Sequence, residues 1–143
     1  MSQKISSEEF KSRLATMCAQ GGGRGLPRNQ RDQHILFKSI TLTLDPAKPY
    51  TETELNLALG QWQTEVGQMI EIDHVSLRRH LVDAGFVSRD SAGLTYHVSA
   101  DNWVDLFEPD VATIDPAAVI IEAQLDRERR KQEYLNQQNT DYL

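Results

Sequence analysis

Arg78 and Arg79 stand side by side in the run Asp73-His74-Val75-Ser76-Leu77-Arg78-Arg79-His80-Leu81-Val82-Asp83-Ala84-Gly85. Guanidinium groups on an exposed helix can grip phosphate oxygens or the acceptor edge of guanine. At about 100° per residue, Leu77, Leu81 and Ala84 cluster on one side and set the direction of a core. Arg79 then points directly away, flanked by Val75 and Val82, with Arg78, Ser76 and Asp83 at the sides. Arginine and serine there suit nucleic acid, whereas two outward valines around an arginine suit a protein partner. A second basic group is Arg24, Arg28, Arg31 and Lys38, with Asp32 as the only acid among them. Arg28 and Arg31 are candidates for phosphate contacts, which need charge and not sequence.

Other chemistries find less support. A glycine run precedes Arg24, but no Gly-Lys-Ser/Thr follows to cradle a nucleotide phosphate. Of the four histidines, His74 and His80 lie about 120° apart on one helix, so they cannot chelate together as an i, i+4 pair would. The four are read as cap-proximal or half-buried histidines, and no metal site is expected. The single cysteine, Cys18, excludes an internal disulfide and sits on an apolar helical stripe, where an inert thiol is expected. Glu52 and Glu54 fall at a helix start and complement its dipole. No nucleophile or acid–base pair emerges. The chain is read as non-enzymatic, with no cofactor and no small-molecule substrate.

These residues are positioned by a regular series of elements. Ser6 with Glu9 reads as a capping box for a first helix over residues 7 to about 20, carrying Phe10, Leu14, Met17 and Cys18. Residues 21–25 follow as a glycine-rich hinge. Pro27 opens a helix over about 28–43 with the stripe Ile35, Leu36, Ile40. Asp45 to Pro49 is a turn, and Thr51 with Glu54 caps a helix through Leu55, Leu57, Leu59 and Trp62 that ends near Gly67. Asp73 caps the arginine-bearing helix and Gly85 ends it. The spacing then predicts a β-hairpin, with Arg89 on its first strand and the turn at residues 90–93. Trp103, Val104, Leu106 and Phe107 require burial. Asp115 and Pro116 start a last helix whose front half is apolar, with Val119, Ile120, Ile121 and Leu125, and whose end beyond residue 136 is expected to fray.

The middle segment resembles an uncharacterised bacterial family, domain of unknown function 2087. The resemblance is carried by Leu26-Pro27-Arg28, Tyr50-Thr51-Glu52, Leu55-Asn56, the whole run from Asp73 to Gly85, Arg89 and Tyr96. It covers about residues 26–98. It implies a winged-helix module of a kind sometimes fused behind a DNA-binding regulator domain, which the 25 residues ahead of the match are too few to hold.

The chain has 143 residues, and 21 acidic against 15 basic side chains give it a net charge of −6. Residues 1–38 carry seven basic and three acidic groups, whereas residues 99–143 carry four and ten. Bulk charge therefore excludes a coat for nucleic acid and leaves a local basic face. No apolar run approaches the ~20 residues needed to span a bilayer, and the first five residues lack a secretory pattern, so a cytoplasmic place is expected. The expected fold is mainly α with a small hairpin: a winged helix of three helices and a two-stranded wing over 26–98. A helix and hinge (1–25) precede it and a helical arm (99–143) follows it. The expected function is a transcription-linked regulatory module contacting nucleic acid through Arg28, Arg31, Ser76, Arg78, Arg79 and Arg89. The alternative is an adaptor on the same scaffold that binds protein through Val75, Val82, Val119, Ile121 and Leu125. The apolar front of the last helix must pack either on its own domain, with Trp103 and Phe107, or on a second subunit; the expectation is a homodimer built from the two terminal helices, its stripe paired to Phe10, Leu14 and Met17 of the first.

Overall fold

The computed structural model describes residues 3–19, 25–99 and 103–141, with side chains of the last helix described through residue 138. The expected glycine hinge and Arg24 lie largely outside the described residues. The described chain is mainly helical, with five α-helices and one small antiparallel sheet. Helix α1 spans Ser7–Cys18 and α2 spans Gln30–Thr41. A two-residue strand β1, Tyr50–Thr51, runs straight into α3, Glu52–Glu65. Then come α4, His74–Asp83, the strands β2, Val87–Arg89, and β3, Thr95–Val98, and after a short 3-10 helix the long α5, Pro116–Asp141. No helix of the described residues is long and apolar enough to cross a membrane.

Local hydrogen bonds start the helices. Ser6 Oγ accepts from the Glu9 amide at 3.1 Å, but the return arm of that box is missing because the Glu9 carboxylate is engaged with Arg31. The box at α3 is complete: Thr51 Oγ1 accepts from the Glu54 amide, and Glu54 Oε1 accepts from the Thr51 amide, both at 3.1 Å. Asp73 caps α4 and Gly85 follows its end with φ +81°, a left-handed turn that favours glycine. The start of α2 differs from expectation. Asn29, not the region of Pro27, is the cap, since its side-chain oxygen accepts from the amides of Arg31 and Asp32.

The sheet has the order β1-β3-β2. Tyr50 pairs with Tyr96 and Thr51 with Thr95, while Arg89 faces Tyr96 from the other edge. β1 is the element the sequence pattern did not reveal, because two residues show no alternation. Its anchor is Tyr50, whose Oη accepts from the Asp45 amide at 2.8 Å.

One buried cluster joins all parts of the chain. Leu55, Leu59 and Trp62 of α3, Leu77 and Leu81 of α4, and Ile35, Leu36, Phe37 and Ile40 of α2 form its centre. Phe10 and Leu14 of α1, and Val119 and Ile120 of α5, close it from the two ends. Ile5 and Phe107 pair in a parallel bridge, with the Ile5 amide donating to the Leu106 carbonyl at 2.8 Å. Two arginine–carboxylate pairs pin α1 to α2: Arg13 on Asp32 at 3.0 and 2.8 Å, and Arg31 on Glu9. α5 remains helical past residue 136, where fraying was expected. Val104 stays exposed, so of the apolar run only Phe107 is fully buried.

Candidate functional site

α4 and the β2–β3 hairpin carry the candidate residues, and packing divides them sharply. Leu77 and Leu81 anchor α4 inward, leaving His74, Val75, Arg79, His80 and Asp83 exposed. Val82 does not share the outward face expected for it; it is half-buried and packs against the core. At about 100° per residue Val82 points away from Leu77 and Leu81, so its cover comes from chain outside α4.

Arg78 turns back onto α3. Its guanidinium donates to Asn56 Oδ1, pairs with Glu52 at 2.8 Å and lies 5.8 Å from the centre of the Tyr96 ring. Only 13% of its side chain is exposed. Arg78 therefore holds α4, α3 and the sheet together, and a groove contact would require it to leave three partners. Ser76 is likewise engaged: its hydroxyl donates to Asp73 at 2.9 Å, and its amide donates to the other carboxylate oxygen. Those bonds hold the Asp73 carboxyl below the usual range.

Arg89 extends from β2 with its guanidinium 5.7 Å from the same Tyr96 ring. It passes over Gly93, where φ is +72° and a Cβ would come within 2.8 Å of its nitrogen. The positive φ is what calls for glycine there, because the flexible tip of Arg89 can move aside. Asp90 spends its carboxylate on the turn, accepting from the Leu94 amide at 2.7 Å and the Thr95 hydroxyl at 2.9 Å. It is not a partner for Arg89.

The basic patch near α2 is dispersed. Arg31 donates to Glu9 and to the Gln3 carbonyl, so it secures the N-terminal helix. Lys38 is half-buried over the Phe107 ring, and burial pushes its pKa down. Arg28 precedes the helix, exposed and without a partner among the described residues. Arg79 shares that condition. Among the candidate arginines, those free to meet a ligand are therefore Arg79 and Arg28, with Arg89 held only by its ring contact and a long 3.4 Å bond to the Gly93 carbonyl.

The other candidates divide in the same way. Val119 is buried against the chain's own core, as are Phe10 and Leu14, so the expected pairing of these stripes between two chains is already satisfied within one. Ile121 and Leu125 remain exposed. Cys18 is buried, and its thiol is pushed up to about 12 by burial. No group of three metal-binding side chains occurs among the described residues. A groove of about 570 Å³ between α1 and α5 is lined by Lys11, Ala15, Glu122 and Leu125, among others. No buried side-chain nitrogen or oxygen among the described residues lacks a hydrogen bond.

A family model, DUF2087, described as an uncharacterized protein conserved in bacteria, matches residues 24–98, more than half of the chain. The chain belongs to the DUF2087 family. No curated protein and no solved structure matches it. The DUF2087 segment contains α2, the sheet, α3 and α4, and leaves out α1 and α5. Within it, Tyr50, Thr51, Glu52, Asn56, Asp73 and Tyr96 are spent on caps, turns and the seating of Arg78. The role of Glu52 and Asn56 has no local signal, since both lie more than twenty positions from the arginine they hold. Among the residues the DUF2087 segment presents outward are Arg28, Leu57, His74, Val75, Arg79 and Arg89.

Proposed function

We propose that this chain is a non-enzymatic regulatory module of a bacterial cytoplasm, linked to transcription, whose DUF2087 segment is a winged helix that meets nucleic acid through α4 and the hairpin. The observation that carries this reading is the order α2-β1-α3-α4-β2-β3 with β3 central in the sheet. In a winged helix the third helix enters the major groove and the hairpin lies beside it on the phosphates. Here α4 takes the place of that helix, with Arg79 outward, and Arg89 belongs to the wing. Arg28 is a further phosphate contact. With so few free cations on this face of a chain of net charge −6, binding is weak and strongly salt-dependent.

Fluorescence anisotropy with a labelled duplex tests the reading. Binding is expected at ~50 mM salt, and Arg79→Ala should weaken it and lower the log–log salt slope by roughly 0.9. No binding at that salt, or binding indifferent to Arg79→Ala with Arg28→Ala, overturns it. Those results would favour the adaptor reading, for which the exposure of Val75 (43%) on α4 and Leu57 (71%) on α3 speaks.

A further inference from the structure

α5 has two faces with different histories. Val119 and Ile120 are buried, Ala123 is half-buried, and Arg127 Nη1 donates to the Ala19 carbonyl at 3.0 Å, where α1 has just ended. Beyond that contact the helix continues through Asp141, roughly 20 Å at 1.5 Å per residue, and residues 128–138 are exposed all round. A helical stretch of that length is marginal in water without packing. Ile121, Leu125 and Leu135 stay exposed, to 55%, 65% and 43%, with Leu125 also at the edge of the groove shared with α1. With Glu128 and Gln132 they form one line at steps of four, three, four and three, the seam spacing of a two-helix coil.

We propose that this outward line of α5 is a self-association surface, on which a second copy of the chain lays its own α5 antiparallel. Polar and charge complementarity selects both the occupant and the direction. Parallel pairing would set Glu128 directly against Glu128 of the other copy, like charges at the centre of the seam. An antiparallel pairing centred on residue 130 sets Leu125 against Leu135 of the other copy twice over. It also brings each Glu128 opposite Gln132 and beside Lys131 of the second copy, so the carboxylate gains a donor and a cation. The same line thus completes itself on two-fold rotation, with an aliphatic layer on each side of a polar centre. Each overhang would lie along the other copy's α5 over Ile121 and Leu125, both exposed. With few aliphatic layers, the contact falls at the small end of stable interfaces, and a dissociation constant on the order of micromolar is expected. This inference does not rest on nucleic-acid binding.

Sedimentation of the full chain from ~1 to ~200 µM tests it, around the expected dissociation constant. A species of twice 16.2 kDa is expected to grow in with concentration. Leu135→Glu changes only the overhang and should leave the thermal melt of the dilute monomer unchanged while removing the dimer. Orientation is read by cross-linking: a mixture of Leu125→Cys chains and Leu135→Cys chains should form disulfides that neither forms alone. The native thiol does not interfere, because Cys18 is buried. A monomer at the highest concentration, a dimer indifferent to Leu135→Glu, or cross-linking of Leu125→Cys alone would each overturn the proposal.

Discussion

Two adjacent arginines do opposite work in this molecule. The turn of about 100° between Arg78 and Arg79 sends one toward the start of α3, where Glu52 and Asn56 receive it, and the other into solvent. The outward direction of Arg79 is legible from the spacing of Leu77, Leu81 and Ala84. The partners of Arg78 are not, because they come from another helix. His34 is a second residue whose setting only packing creates. It is buried, with its ring 4.4 Å from that of Trp103 and 5.6 Å from that of Phe86. Burial holds its pKa below the ordinary value. The unfolded chain takes up a proton near pH 6.5 while the folded chain resists it, so the unfolded state binds more protons in that window. Stability is therefore full above about pH 6.5 and is expected to fall as the pH drops through it toward the lowered pKa of the folded state. Urea midpoints measured between pH ~7.5 and ~5 should show the decline, and His34→Phe should flatten it. An unchanged slope in that variant would assign the decline to other groups.

At the scale of elements, two glycines of one region make opposite demands. The amides of Val66 and Gly67 both donate to the Trp62 carbonyl, at 2.7 and 3.0 Å, and close the end of α3. A Cβ on Gly67 would fall 2.4 Å from two carbons of the Trp62 ring. That ring cannot yield easily, since it is fully buried and its Nε1 donates to Ser39 Oγ at 3.0 Å. Gly67→Ala is expected to cost about 1–3 kcal/mol, the usual range for overpacking. Gly60 lies inside α3 with nothing within 4 Å of an added Cβ. Gly60→Ala should instead stabilise the fold by about 0.4–1 kcal/mol through the unfolded state. Thermal melts of the two variants should move in opposite directions. The helix starts at Ser6, Thr51 and Asp73 were legible because a cap is a bond between residues two or three apart. β1 was not, since its register with β3 is decided by a pairing forty-six residues away, Tyr50 with Tyr96.

For the whole molecule, the segments outside the DUF2087 match are structural members of the core. Ile5, Phe10 and Leu14 from one end, and Phe107, Val111, Val119 and Ile120 from the other, are buried in the same cluster as α2, α3 and α4. Phe10 meets Phe107 edge-on with ring centres 6.3 Å apart. Phe10→Ala is therefore expected to destabilise the entire fold by about 3–5 kcal/mol, although it lies outside the family segment. Denaturant unfolding followed by tryptophan fluorescence checks this, because both tryptophans, Trp62 and Trp103, lie outside α1. A loss confined to α1, with the tryptophan transition unmoved, would count against a shared core.

What the sequence determined by itself are features written in neighbouring residues: the caps at Ser6, Thr51 and Asp73, the glycine after α4, the hairpin turn, and the inward stripes of the helices. Each follows from bonds or burial within one or two turns of chain. The assignment of charged and apolar side chains to solvent or to partners belongs to tertiary structure. Arg31 and Arg78 look in the sequence like Arg28 and Arg79, but Glu9, Glu52 and Asn56 reach the first pair alone. Val119 and Ile121 look alike on one helix, but α1 lies along only one of its sides. A charge or a methyl group is spent or free according to what stands a few ångströms away, and that neighbour is supplied by distant parts of the chain once they fold.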